Sequence, residues 1–148
     1  MAKGLPAAFV TLVIGGIAAF IAWRQNETAK AKLKLDLFDK RYEIFEKTWA
    51  FLSGADKIAQ NPDPFHPFTN IIPQAGFLFG SDIEEYLQIA SKKQTEMWLI
   101  YVKSRNNNNL IAPDDIEPLK ELSLWFYEEA SNGAKCAFSP YLNFEKWK

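Results

Sequence analysis

The side chains able to do chemistry are few and scattered. His66 and Cys136 are the only imidazole and the only thiol among 148 residues, so neither has a second ligand of its own kind at metal-binding spacing. His66 stands between Phe65 and Pro67, the setting of a loop-packing imidazole rather than a base. Cys136 lies among Ala134, Ala137 and Phe138, where a buried structural thiol is expected in place of a nucleophile. Adjacent carboxylates occur at Glu84 and Glu85, Asp114 and Asp115, and Glu128 and Glu129. A paired general acid and base would need two carboxyls converging on one bond, but neighbours on a helix point about 100° apart. No phosphate-binding glycine loop, dinucleotide fingerprint or nucleophile elbow is present. These residue types predict no catalytic centre, no metal site and no cofactor.

The basic groups suggest surfaces instead. Arg24, Lys30, Lys32 and Lys34, with Lys40 and Arg41 beyond, could touch anionic lipid headgroups, each contributing about 1 kcal/mol near the surface. Glu27, Asp36 and Asp39 interrupt that cluster, which favours a simpler role as the signal that orients a membrane helix. Lys92, Lys93, Lys103 and Arg105 form the other basic group, and a nucleotide second messenger would need a more basic pocket. The formal charge is -1, so no nucleic-acid partner is expected.

The elements that hold these groups begin with an apolar run. Gly4 to Trp23 is twenty residues without a charge and with one polar residue, Thr11. At about 1.5 Å per residue it reaches roughly the 30 Å of a hydrocarbon core. Pro6 sits in the first turn and Trp23 at the far end, where an indole favours the headgroup region. A cleavable signal peptide is the competing reading, with Lys3 as its n-region and Ala18 or Ala22 before a cleavage site. The run exceeds an h-region of about 7–15 residues, and four basic residues follow it, which favours a retained helix. That asymmetry places the N-terminus outside and the rest in the cytoplasm. Thr11, Gly15 and Ala19 recur every fourth residue and form a small-residue stripe suited to close helix packing and a homo-oligomer.

The remaining 24–148 stretch predicts a domain with helices over about 24–59, 81–105 and 115–138. In the first, Leu35, Phe38, Tyr42, Phe45, Trp49 and Leu52 are spaced as a helical seam, broadened by Leu33, Leu37, Ile44 and Phe51. The segment Asn61–Gly80 holds Pro62, Pro64, Pro67 and Pro73, too dense for a long helix. It is also rich in large apolar groups, so it predicts an ordered loop, with Phe65, Phe68, Phe77 and Phe79 as a candidate partner surface. Ser81 and Glu84 match a capping box, and Asp114 or Asp115 would cap the last helix with Pro118 in its first turn. Ile83, Leu87, Ala90, Met97 and Tyr101 form one inner stripe, interrupted by Gln94, and Leu119, Leu122, Phe126 and Ala130 form another. Asn106 to Asn109 is a loop, and Pro140 forces a stop. No strand-like alternation occurs, so the fold class is all-α: one N-terminal transmembrane helix, then a small three-helix cytosolic bundle with a Pro- and aromatic-rich loop.

Three stretches carry a likeness: KLKLDLFDKRYEIFE at Lys32 to Glu46, FLFGSDIEEYL at Phe77 to Leu87 and FSPYL at Phe138 to Leu142. Together they resemble a family of small bacterial proteins in which one N-terminal membrane helix is followed by this charged-aromatic segment. The resemblance implies a bacterial membrane-anchored helical protein and carries over no catalytic or binding residue.

The expected function is that of a single-pass inner-membrane protein whose bundle binds another protein or its own copies. A ligand-responsive oligomeric membrane effector, of stress or phage-defence type, is the alternative, and a membrane-tethered enzyme would need a polar cleft that these residues do not advertise.

Overall fold

From Ala7 to Ser53 the chain has no proline, and in the computed structural model this stretch forms one α-helix, α1 (Ala7–Ser53). The structure describes residues 7–61 and 67–143; His66, Phe65, Lys3 and Pro6 lie outside them. The chain divides into two units, Met1–Asp39 and Lys40–Lys148.

In the first unit the described residues all belong to α1, and their large apolar side chains face outward, with Leu12 73% exposed and Ile14 62%. Helix α1 is long and apolar enough to cross a membrane, and none of its most apolar window is buried. Beyond Trp23 the surface turns polar: Lys30 pairs with Glu27 at 3.4 Å, and Thr28 returns its hydroxyl to the Arg24 carbonyl at 3.0 Å.

The second unit is built from the end of α1, α2 (Ala55–Gln60), a 3-10 turn (Pro67–Ile71), α3 (Ile72–Phe79), α4 (Ser81–Asn106), α5 (Pro113–Glu128), a π turn (Glu129–Gly133) and α6 (Ala134–Leu142). Most of the described residues are helical, and none is in a strand. Helix α4 packs against α2, α3 and α5. The core between them is strongly aromatic. Phe138 meets Phe45, Phe79 and Tyr86 edge-on, with centroids 5.5, 5.1 and 6.4 Å away, the geometry that ring quadrupoles prefer. Phe51 stacks flat on Phe68 at 3.7 Å and meets Phe126 edge-on. Burying each such ring contributes roughly 1.5–3 kcal/mol.

Several sequence expectations are corrected. The proline-rich segment is helical from Pro67 onward, because Pro73 falls at the start of α3, where its missing N–H would have had no partner. Gly80 takes φ +95°, a conformation open to glycine, and stands as the N-cap of α4. Ser81 is thereby pushed inside the helix and its hydroxyl reaches Asp82 at 3.3 Å, so no capping box forms. Ala112 rather than Asp114 or Asp115 caps α5, and Pro118 falls in the second turn, on the exposed face. Pro140 does not stop α6, which runs to Leu142; the donor Pro140 lacks is replaced by the Ser139 hydroxyl, bonded to the Cys136 carbonyl at 3.1 Å. Cys136 is exposed, because Ala134 and Phe138 hold the inward positions of that turn.

The inner face of α1 is narrower than the expected apolar surface, keeping Ile44, Phe51 and Leu52 and adding Thr48. It runs through Ile44, Thr48, Phe51 and Leu52 and continues into Ala55 and Ala59, whereas Leu35, Tyr42 and Trp49 are exposed. Thr48 tolerates burial because its hydroxyl donates to the Ile44 carbonyl at 2.8 Å. On α4, Gln94 does not interrupt the inner stripe but is buried in it, between Ala90 and Met97.

Candidate functional site

Three surfaces gather the residues singled out from the sequence. On α1, Thr11, Gly15 and Ala19 share one face by their spacing. A Cβ built on Gly15 or Gly16 would meet nothing within 4 Å, so that face is open. Arg24, Lys30, Lys32 and Lys34 follow on the same helix and are all exposed. The Arg24 guanidinium lies 5.9 Å from the Phe20 ring centroid, at the boundary between apolar and charged sequence. Such a helix, apolar on every face and then basic, is chemically suited to a lipid core and its headgroups.

The aromatic residues of the proline-rich segment separate. Phe68 and Phe79 are buried, at 3% and 7% exposure, and belong to the core rather than to a partner surface. Phe77 is 92% exposed, and Phe65 lies outside the described residues. Burial takes Phe68 inward because it closes the stack on Phe51. Beside that stack, a cleft of about 440 Å³ is lined by Lys47, Asn70 and Gln74 over an apolar wall of Ala50, Phe51 and Phe68. The Lys47 ammonium is held by Glu43 at 2.6 Å, and that contact holds the Glu43 carboxyl below its ordinary range.

One acid of each adjacent pair is engaged structurally. The Tyr86 hydroxyl donates to Glu129 at 2.8 Å, and burial together with that carboxylate pushes the phenol well above its usual range. Asp115 pairs with Lys103 at 3.2 Å, and the Glu84 side chain fills the space where a Cβ on Gly76 would stand. No three His, Cys, Asp or Glu side chains gather as a metal site among the described residues.

Two residues take positioning roles that the sequence did not suggest. Arg41 lies against the edge-on pair of Phe79 and Tyr141, its guanidinium 5.6 Å from the Phe79 centroid and 5.9 Å from that of Tyr141. The one signal for it was a cation inside an apolar seam. Trp49 is half exposed, yet its indole N–H donates to the Ala130 carbonyl at 2.9 Å, inside the π turn. Widened turns of this kind release a carbonyl from the helical ladder, and spacing rules written for 3.6 residues do not foresee them.

Comparison with known proteins adds no assignment: no family model matches the chain, no curated protein matches it and no solved structure matches it.

Proposed function

We propose that this chain is a single-pass membrane-anchored interaction protein of the bacterial inner membrane. Its N-terminus faces outside, and a cytoplasmic helical domain built on three long helical stretches binds a protein partner. One observation carries the reading: from Phe9 to Trp23, large apolar side chains are exposed with no core to cover them. Exposed apolar surface of that extent calls for a lipid bilayer. The basic residues from Arg24 to Lys34 support the orientation, and the exposed Phe77 supports a protein contact. Fusion of alkaline phosphatase to the C-terminus tests the orientation. An inactive fusion alongside a fluorescent cytoplasmic reporter is expected, and phosphatase activity would overturn it.

A second reading, a ligand-responsive oligomeric effector, draws on the open face at Gly15 and Gly16 together with the cleft beside Phe68. Mass measurement of the detergent-solubilised chain separates the two. A monomer that stays monomeric with cell metabolites removes the effector reading, and a metabolite-dependent oligomer favours it.

A further inference from the structure

A second cleft, of about 410 Å³, opens in the 40–148 unit where α1, α2 and α5 meet, and its chemistry is unlike that of the first. Its floor is apolar, made by Leu52, Met97 and Phe126, all buried. Its rim carries two aromatic rings, Trp49 and Tyr127, which are 49% and 70% exposed, and one charge, Asp56. Two of the rim groups are held in place by hydrogen bonds. The Trp49 indole is tied to the Ala130 carbonyl at 2.9 Å. The Asp56 carboxylate receives the Tyr101 hydroxyl on Oδ1 at 2.6 Å and the Gln60 amide on Oδ2 at 2.8 Å, which leaves a lone pair on each oxygen.

Elsewhere in this domain three rings hold the chain's own cations, with Arg41 beside Phe79 and Tyr141 and Lys93 over Trp125 at 5.1 Å. Among the described residues, Trp49 and Tyr127 hold none, and Asp56 is not in an ion pair. An electron-rich ring face attracts an organic cation, and a carboxylate beside an apolar floor strengthens that attraction while disfavouring anions. We infer that the Trp49–Asp56–Tyr127 cleft binds an organic cation with an apolar stem, an alkylammonium group carried by a small amine or by a lysine side chain of a partner. The stem lies on Leu52 and Met97, and the charged head sits between the two rings against Asp56.

The test uses the full chain in maltoside detergent, which carries no amine of its own. Calorimetry follows butyltrimethylammonium, its neutral isostere 3,3-dimethylbutan-1-ol, and a short end-blocked peptide with one lysine among glycines. Saturable binding of either cation is expected, the neutral alcohol being weaker by about tenfold or more. Binding of the free ammonium assigns a small-molecule source, and binding of the peptide alone assigns a protein one. Asp56→Asn and Tyr127→Leu each weaken the bound cation by about tenfold, whereas Gln74→Ala, at the other cleft, changes nothing. Circular dichroism of each variant confirms that the helices persist. Equal binding of alcohol and cation, no binding of either cation, or wild-type affinity in both cleft variants would overturn the assignment.

Discussion

Arg41 Nε donates to the Leu78 carbonyl at 2.9 Å, joining α1 to the end of α3 across 37 positions of sequence. The same guanidinium reaches the Tyr141 carbonyl at 3.5 Å and lies beside the paired rings of Phe79 and Tyr141. One side chain thus satisfies carbonyls at the ends of two helices, α3 and α6, whose own ladders leave them over.

Arg41→Ala removes both carbonyl contacts and the ring contacts together. A loss on the order of 2 kcal/mol is expected in urea unfolding of the domain. Arg41→Lys should recover only part of it, because an ammonium cannot stack flat while donating along a fork. Full recovery by lysine would show that charge alone matters at this joint.

The aromatic core makes a sharper contrast. Phe138→Ala is expected to cost about 3–5 kcal/mol, since Phe138 is wholly buried against three rings. Phe77→Ala, on the same scale, should change stability by no more than about 0.5 kcal/mol. If Phe77→Ala proved as costly as Phe138→Ala, Phe77 would be a core residue and not a contact surface.

Gly133 closes the π turn, and a Cβ there would run into the Glu129 carboxylate, which is held by the Tyr86 hydroxyl. Gly133→Ala should therefore destabilise by about 1–3 kcal/mol even though alanine favours helix. Combining it with Glu129→Ala should cost less than the sum of the two single changes, because the shortened side chain makes room. Strict additivity in thermal unfolding would contradict the packing.

The all-helical class was legible because no segment alternates, and the membrane-length helix because twenty residues from Gly4 to Trp23 carry no charge. The inner face of α1 was legible only in part, since Ile44, Phe51 and Leu52 belonged to its expected apolar surface and the buried Thr48 did not. Tyr42 and Trp49 form as good a seam by spacing as Ile44 and Thr48, and only the Trp49 bond to Ala130, made 81 positions away, shows why the indole stays at the rim. The capping box at Ser81 was a false signal, since a glycine one residue earlier took the cap. Asp56 gave no sign of its role at all. Its partner Tyr101 lies 45 positions along the chain, and its cleft is assembled from separate helices.

Alkaline pH should weaken the domain. Burial, helped by the hydrogen bond to Asp56, pushes the Tyr101 phenol from 10.0 up to about 12. The unfolded phenol loses its proton first, so between about pH 10 and 12 the unfolded state binds fewer protons and stability falls as pH rises. Below pH 10 the contribution is fully present. Tyrosinate absorbance during an alkaline titration checks this, and Tyr101→Phe should reduce the slope in that window, leaving the share due to Tyr86, whose phenol is also pushed up. An unchanged slope would remove Tyr101 as its cause.

Membrane insertion is the central claim, and alkaline carbonate extraction of membranes tests it most directly. The wild-type chain should remain in the pellet. A chain carrying Ile14→Lys and Ile17→Lys should be released, each lysine adding about 2.5–3.5 kcal/mol to insertion. A wild-type chain found in the supernatant, or a double variant that stays in the pellet, would contradict the account.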